Sequence, residues 1–250
     1  MKIIAKINSY KQILHYRENK ELNERIPEYS VKMGFGLHIG WAIEGLIGSS
    51  HKVDASYLSP HVNLASRLEA ATKQYGVNFL LSEPLYNLLS KEFKQKCRCV
   101  DRCTLKGVAE PLCLYTFEVD VSNLPKVKDR FLKMSVKARQ KAASNEKNIL
   151  FSKILNEEIT TSILLEKDKE VRRLLHFHRM SSREPFIKNY NKAFKNYLKG
   201  DWVKCHEYFS KCLLINPFDG PSKVLDDYII SHNLDSASLN WQGYRVLTDK

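Results

Sequence analysis

The sequence predicts an α+β fold to about residue 120, followed by an all-α region that runs to residue 250. Three observations carry this reading. Residues 33–39 and 41–47 are rich in β-formers and punctuated by Gly36, Gly40 and Gly45. Ser59, Pro60 and Gly76 bracket a stretch with the start and stop signals of a helix. After Asp120 the apolar residues switch to steps of three and four, the period of an amphipathic helix.

Taken in order, residues 3–24 read as one polar, partly amphipathic helix with Ile3, Ile7, Leu14 and Leu22 on one side, ended by Pro27. The two strands 33–39 and 41–47 follow, with Gly40 where a tight connection or close backbone approach needs it. Ser59 caps and Pro60 opens a helix that reaches about Tyr75, where Gly76 stops it. Residues 77–81 predict a short buried strand, and Ser82, Glu83 and Pro84 open a short helix through Leu89. Residues 97–105 and 112–119 predict a hairpin around LKGVAEP. Beyond it, Leu124, Val127, Phe131, Met134 and Ala138 mark a long amphipathic helix. Residues 186–217 read as a helical hairpin. Its Tyr197, Gly200, Trp202, Cys205, Phe209, Leu213 and Pro217 fall where a tetratricopeptide repeat places packing residues, and an ordinary helical hairpin reads equally well. A lone repeat buries no continuous core, so this one is expected to pack on other helices. The expected division is therefore residues 1–120 and residues 121–250.

Composition sets the limits. With 250 residues and 43% hydrophobic content, the chain can build one large core or two small ones. No apolar run approaches the roughly 20 residues of a membrane helix, and MKIIAKINSYKQILHY lacks the uninterrupted apolar stretch of a secretory signal. A soluble, cytoplasmic chain is expected, attached to a membrane only through a longer parent protein. Cys97, Cys99, Cys103 and Cys113 sit close together without CxxC spacing or a nearby histidine, so CRCVDRC reads as free thiols rather than zinc ligands. The net charge is +12, and residues 121–150 carry eight Lys or Arg against Asp129 and Glu146. No aromatic interleaving accompanies them, so they read as a solvated helix face and no nucleic-acid partner is expected.

The chemistry concentrates between Gly34 and Pro111. On the helix that starts at Pro60, Leu64, Ala65, Leu68, Ala71 and Tyr75 form an apolar stripe, while Asn63 and Arg67 lie one turn apart on the other side. An amide and a guanidinium so placed suit phosphate and ribose oxygens, because Arg neutralises charge and Asn gives a directional hydrogen bond. The glycines do not form a phosphate-cradling loop: GxHxG lacks the GKS or GKT ending and the third glycine of a dinucleotide fingerprint. His38, inside that run, reads as a packed strand residue.

GFGLHIGWAIEGLIGS, SYLSPHVNLASRLE and LKGVAEP, in that order, resemble the second half of a class III nucleotidyl cyclase catalytic domain, the adenylyl and guanylyl cyclase family. The resemblance implies a partial ferredoxin-like domain whose N-terminal strands are missing. It implies that Asn63 and Arg67 stabilise the transition state as the ribose 3′ hydroxyl attacks the α-phosphate. It further implies that Ser56 helps read the purine ring and that Lys106 contacts the triphosphate. Ser59 and Pro60 replace the family's GlyAsp or GlyAsn entry to this helix. The family's two metal-binding aspartates, which hold Mg or Mn, have no counterpart in residues 1–32.

Family sites form between two head-to-tail domains, so the implied partners are ATP or GTP and a second cyclase domain in a homo- or heterodimer. Alone, the chain is expected to be inactive or to contribute half a site. Either the chain is a truncated gene product or fragment of a longer cyclase, or a partner supplies the missing strands, or the remnant stands as a degenerate domain attached to the helical region. The competing reading is a non-catalytic cyclase-like and helical module that serves as a scaffold, with the helical region binding a protein partner.

Overall fold

A computed structural model describes all residues except 107, 109, 122–123, 125–133 and 248–250, with backbone alone for 161, 162, 164, 177, 179 and 238. The N-terminal half runs α1 (Lys2–Ser9), α2 (Lys11–Leu14), α3 (Lys20–Arg25), β1 (Phe35–Leu37), β2 (Ile43–Gly48), β3 (Val53–Leu58), α4 (Pro60–Tyr75), β4 (Phe79–Ser82), α5 (Glu83–Leu88), α6 (Lys91–Lys94), β5 (Cys97–Leu105) and β6 (Leu112–Phe117). Then come α7 (Val136–Leu155), α8 (Thr161–Lys167), α9 (Lys169–Leu174), α10 (Arg183–Lys199), α11 (Trp202–Ile215), α12 (Gly220–Ser231) and β7 (Arg245–Leu247).

Two compact units interleave along the chain, residues 1–33 with 119–177 and residues 34–118 with 178–250. In the first, the helix expected over residues 3–24 is broken into three pieces. Tyr10 and Asn19 adopt extended backbone at the joints, and the Asn19 side chain accepts from Leu22 N at 3.1 Å to restart the helix. Ile4, Ala5 and Ile7 are buried, as are Val171 and Leu174 on α9. Lys2 pairs with Asp168 at 2.7 Å, and Asp168 also caps α9 through the Glu170 and Val171 amides. The long helix expected after Asp120 begins only at Val136, with Leu124 and Met134 outside it; Val127 and Phe131 lie outside the described residues. None of its residues is buried.

The second unit centres on a five-stranded sheet in the order β1-β4-β6-β5-β7. β1 runs parallel to β4, β4 and β5 are antiparallel to β6, and β7 is parallel to β5. The helical region therefore departs from all-α at Arg245–Leu247, which adds an edge strand. Leu64, Leu68, Ala71 and Tyr75 of α4 pack against Leu80, Val100, Cys103, Leu105 and Leu114 to form the core. Gly36 makes the close approach possible: a Cβ there would lie 2.2 Å from Ala65 O and 2.4 Å from Glu69 N on α4.

Helices α10 and α11 form the expected hairpin, with Phe186, Tyr190, Ala193, Tyr197, Trp202, Cys205, Phe209 and Cys212 buried. Gly200 at φ +82° ends α10, and Asp201 caps α11. The hairpin leans on the sheet as well as on α12, since Tyr190 OH donates to Val100 O at 3.3 Å. Among the described residues no helix is long and apolar enough to cross a membrane.

Candidate active site

Helix α4 displays its polar face because its other face is taken. Ser59 has extended backbone and its Oγ accepts from His61 N at 3.0 Å, while Pro60 occupies the first turn, where no amide proton is needed. The SerPro entry thus gives a regular N-cap, and the helix ends at Tyr75 with Gly76 at φ +63°. With Leu64 and Leu68 buried in the core, Asn63 is exposed and Arg67 half-buried. At 1.5 Å rise per residue the pair is separated by about 6 Å along the axis. Neither side chain has a hydrogen-bond or ion-pair partner among the described residues.

Lys106 is exposed at the turn between β5 and β6. Val108 N donates to Leu105 O at 2.8 Å and Val108 packs on the core, which pins the turn and leaves the lysine outside. Ser56 sits in β3 and is half-buried opposite Gly45 of β2. These two strands form a separate antiparallel ribbon, from Ile43↔Leu58 to Gly48↔Val53. Ile43, Leu46, Ile47, Val53, Tyr57 and Leu58 on it are all more than half exposed. The first of the two strands expected near residue 33 shrinks to Phe35–Leu37, because only those residues pair with β4.

His38 follows β1 and is half-buried, with its two ring nitrogens facing Ser82 and His61. Burial, and then the neighbouring His61, holds its imidazole below the usual histidine range. His61 carried no signal in the sequence beyond following a Ser-Pro cap; only the register of β1 against α4 brings it to His38. The six cysteines are free thiols. Burial and the nearby Glu118 push the Cys97 thiol up to about 11, which leaves it protonated and poorly nucleophilic at neutral pH. Among the described residues no group of three or more His, Cys, Asp or Glu could hold a metal ion. Residues 1–32 contain no aspartate, so the two-aspartate seat of the family's Mg or Mn does not fit onto them.

Residues 6–119 match the family described as adenylate and guanylate cyclase catalytic domain. An adenylate cyclase of Anabaena cylindrica is 35% identical over 91 residues, which is 36% of this chain and 18% of that protein. A terminal-differentiation-specific adenylate cyclase of Dictyostelium discoideum is 30% identical over 108 residues, 43% of this chain and 5% of its own length. Adenylate cyclase 1 of Rhizobium meliloti is 37% identical over 57 residues, 23% of this chain and 8% of that protein. The chain thus spans less than a fifth of each of these relatives. The solved structure of a bacterial light-regulated adenylyl cyclase aligns with 51% of this chain and 32% of its own, at 27% identity and a TM-score of 0.35. The family match and the adenylate cyclase relatives together support a class III adenylate and guanylate cyclase catalytic domain at residues 6–119.

Proposed function

We propose that this chain contributes one half of a nucleotide cyclase site, with Asn63, Arg67 and Lys106 acting on a purine triphosphate bound against a second cyclase domain. The observation that supports it is the state of α4: an amide and a guanidinium one turn apart, turned out of the core and unengaged among the described residues. In the reaction the ribose 3′ oxygen bonds to the α-phosphorus, and the bond from that phosphorus to the bridging β-phosphate oxygen breaks. Pyrophosphate leaves, and the hydroxyl proton passes to solvent or to a base on the partner domain. Arg67 offsets the negative charge that builds on the α-phosphoryl oxygens, Asn63 orients the ribose by a hydrogen bond, and Lys106 pairs with the triphosphate. Ser56 faces the base. ATP is the favoured substrate, because the relatives are adenylate cyclases. The carboxylates that hold the divalent ions are assigned to the partner, because residues 1–32 offer no counterpart of the family's two aspartates.

The test mixes the purified chain with a cyclase subunit that keeps its metal aspartates but has lost its own Asn and Arg. Cyclic nucleotide formation should rise on mixing. Arg67→Ala should abolish the rise by about 10²–10³-fold, the cost of removing one preorganised transition-state donor, with no change in melting temperature. Binding without any rise in rate would overturn the half-site and favour a scaffold.

A further inference from the structure

Two imidazoles join the end of β1 to the first turn of α4. His38 Nε2 lies 2.8 Å from His61 Nδ1, and His38 Nδ1 lies 2.6 Å from Ser82 Oγ at the end of β4. The rings stack with centroids 5.0 Å apart, and Trp41 meets His61 edge-on at 5.8 Å. Gly40 admits the ring: a Cβ there would lie 2.1 Å from His61 Cγ. Ser59, which caps α4, donates from Oγ to Trp41 O at 2.5 Å. The start of the helix that carries Asn63 is therefore held on the segment after β1 by the histidine pair and the Ser59 cap.

A hydrogen bond between two imidazole nitrogens needs one proton between them, donated by one ring and accepted by the lone pair of the other. If both facing nitrogens carry protons, neither can accept, and two like charges meet at hydrogen-bond distance. We infer that His38 and His61 form a proton-operated latch that positions Asn63, closed when a single proton lies between the facing nitrogens and released when both are protonated. The inference rests on the reading that Asn63 acts on the nucleotide.

The surroundings favour the closed form at neutral pH. Burial and His61 lower the proton affinity of His38. A histidine lowered in the fold adds stability that is present above its ordinary range and lost as pH falls through the lowered value. The other side chains around the pair, Ser82 from β4, Trp41 after β1 and Ser59 from the cap, do not titrate in this range. Of the acids on these elements, Glu83 accepts from Cys113 N at 3.1 Å, and Glu69 lies two turns along α4 beside Gly34.

Imidazole and amide NMR of the full chain between pH 8 and pH 5 tests the latch directly. The two histidines should titrate as a coupled pair, and the Asn63 amide should shift with the acid step. His61→Asn, or His38→Gln as a second variant, should leave the Asn63 amide still. Independent titration of the two rings, or an Asn63 amide that does not follow them in the unaltered chain, overturns the inference whatever the activity. In the mixing assay, stimulation should fall about tenfold per pH unit below the acid step and lose that limb in His61→Asn; an unchanged limb also overturns it. Absence of stimulation at every pH defeats the half-site reading alone, and the NMR titration then decides the latch.

Discussion

Replacing Arg245 by Met should unfold the sheet-bearing unit far more readily than its position on a three-residue edge strand suggests. Its Nε donates to Asp101 Oδ2 at 2.8 Å and a terminal nitrogen donates to Tyr75 OH at 2.8 Å, while Tyr75 OH donates to the same Asp101 oxygen at 2.6 Å. Asp101 and Tyr75 are fully buried and Arg245 is 6% exposed. Burial works against the charge on Arg245, and Asp101 together with Tyr75 and Tyr197 more than offsets it. Met fills much of the space but strands Asp101 with only the Tyr75 hydroxyl and the Arg102 amide, the latter at 2.7 Å. Loss of one partner from a buried pair costs about 3–5 kcal/mol. With a slope of about 2 kcal/mol per M urea, the unfolding midpoint should drop by about 1.5–2.5 M. The fluorescence of Trp202 and Trp241, both in this unit, follows the transition. Adding Asp101→Asn should recover part of the loss, since a neutral amide no longer leaves a bare charge inside. A midpoint within about 0.3 M of the unaltered chain would refute the reasoning, because that shift is less than 1 kcal/mol at this slope.

Two further outcomes follow from the same unit. Gly36→Ala should destabilise by about 1–3 kcal/mol, measured by the same urea titration, because its Cβ would run into the backbone of α4 at Ala65 and Glu69. Arg98 is shared between Asp219, at 2.6 and 3.0 Å, and Glu118 at 2.6 Å. Burial would raise Asp219, but Arg98 and the hydrogen bonds from Ser222 together outweigh it and hold the carboxyl below its usual range; burial wins at Glu118, whose carboxyl is raised. Asp219 therefore adds stability above the ordinary carboxylate range that is lost as pH falls through its lowered value. Glu118 does the reverse, its contribution being lost as pH rises through its raised value. At pH 7, Asp219→Asn should cost about 3 kcal/mol, or about 6–12 °C in melting temperature, and Glu118→Gln distinctly less. Thermal melts from pH 7 to pH 3 should show the Asp219→Asn penalty shrinking with acid.

Helix α4 was readable almost residue by residue because its signals are local: a serine cap, a proline in the first turn, an apolar stripe and a terminal glycine. The β5–β6 hairpin was readable for a similar reason, since alternation within each strand marks the inward side chains. The ribbon strand Val53–Leu58 was missed because it has no buried face to impose a pattern; five of its six residues are exposed. The breaks at Tyr10 and Asn19 left no proline or glycine to read. Two pairings were beyond any local rule: Arg245 with Asp101, and His38 with His61, each join residues that only the finished sheet brings together. Asn63, Arg67 and Lys106 were legible as polar positions outside the core, because α4 and the hairpin turn leave polar residues outside once the apolar ones are buried.

Strand β7 pairs Cys103 with Arg245 and Leu105 with Leu247, partners separated by most of the chain. During synthesis the other four strands of this sheet leave the ribosome long before that edge can be covered, with residues 119–244 translated in between. Such distant closure is slow and leaves an open border to other nascent chains. Expression at low temperature or with a holding chaperone should therefore raise the yield of folded material, and stopping translation before Arg245 should drive the product into aggregates.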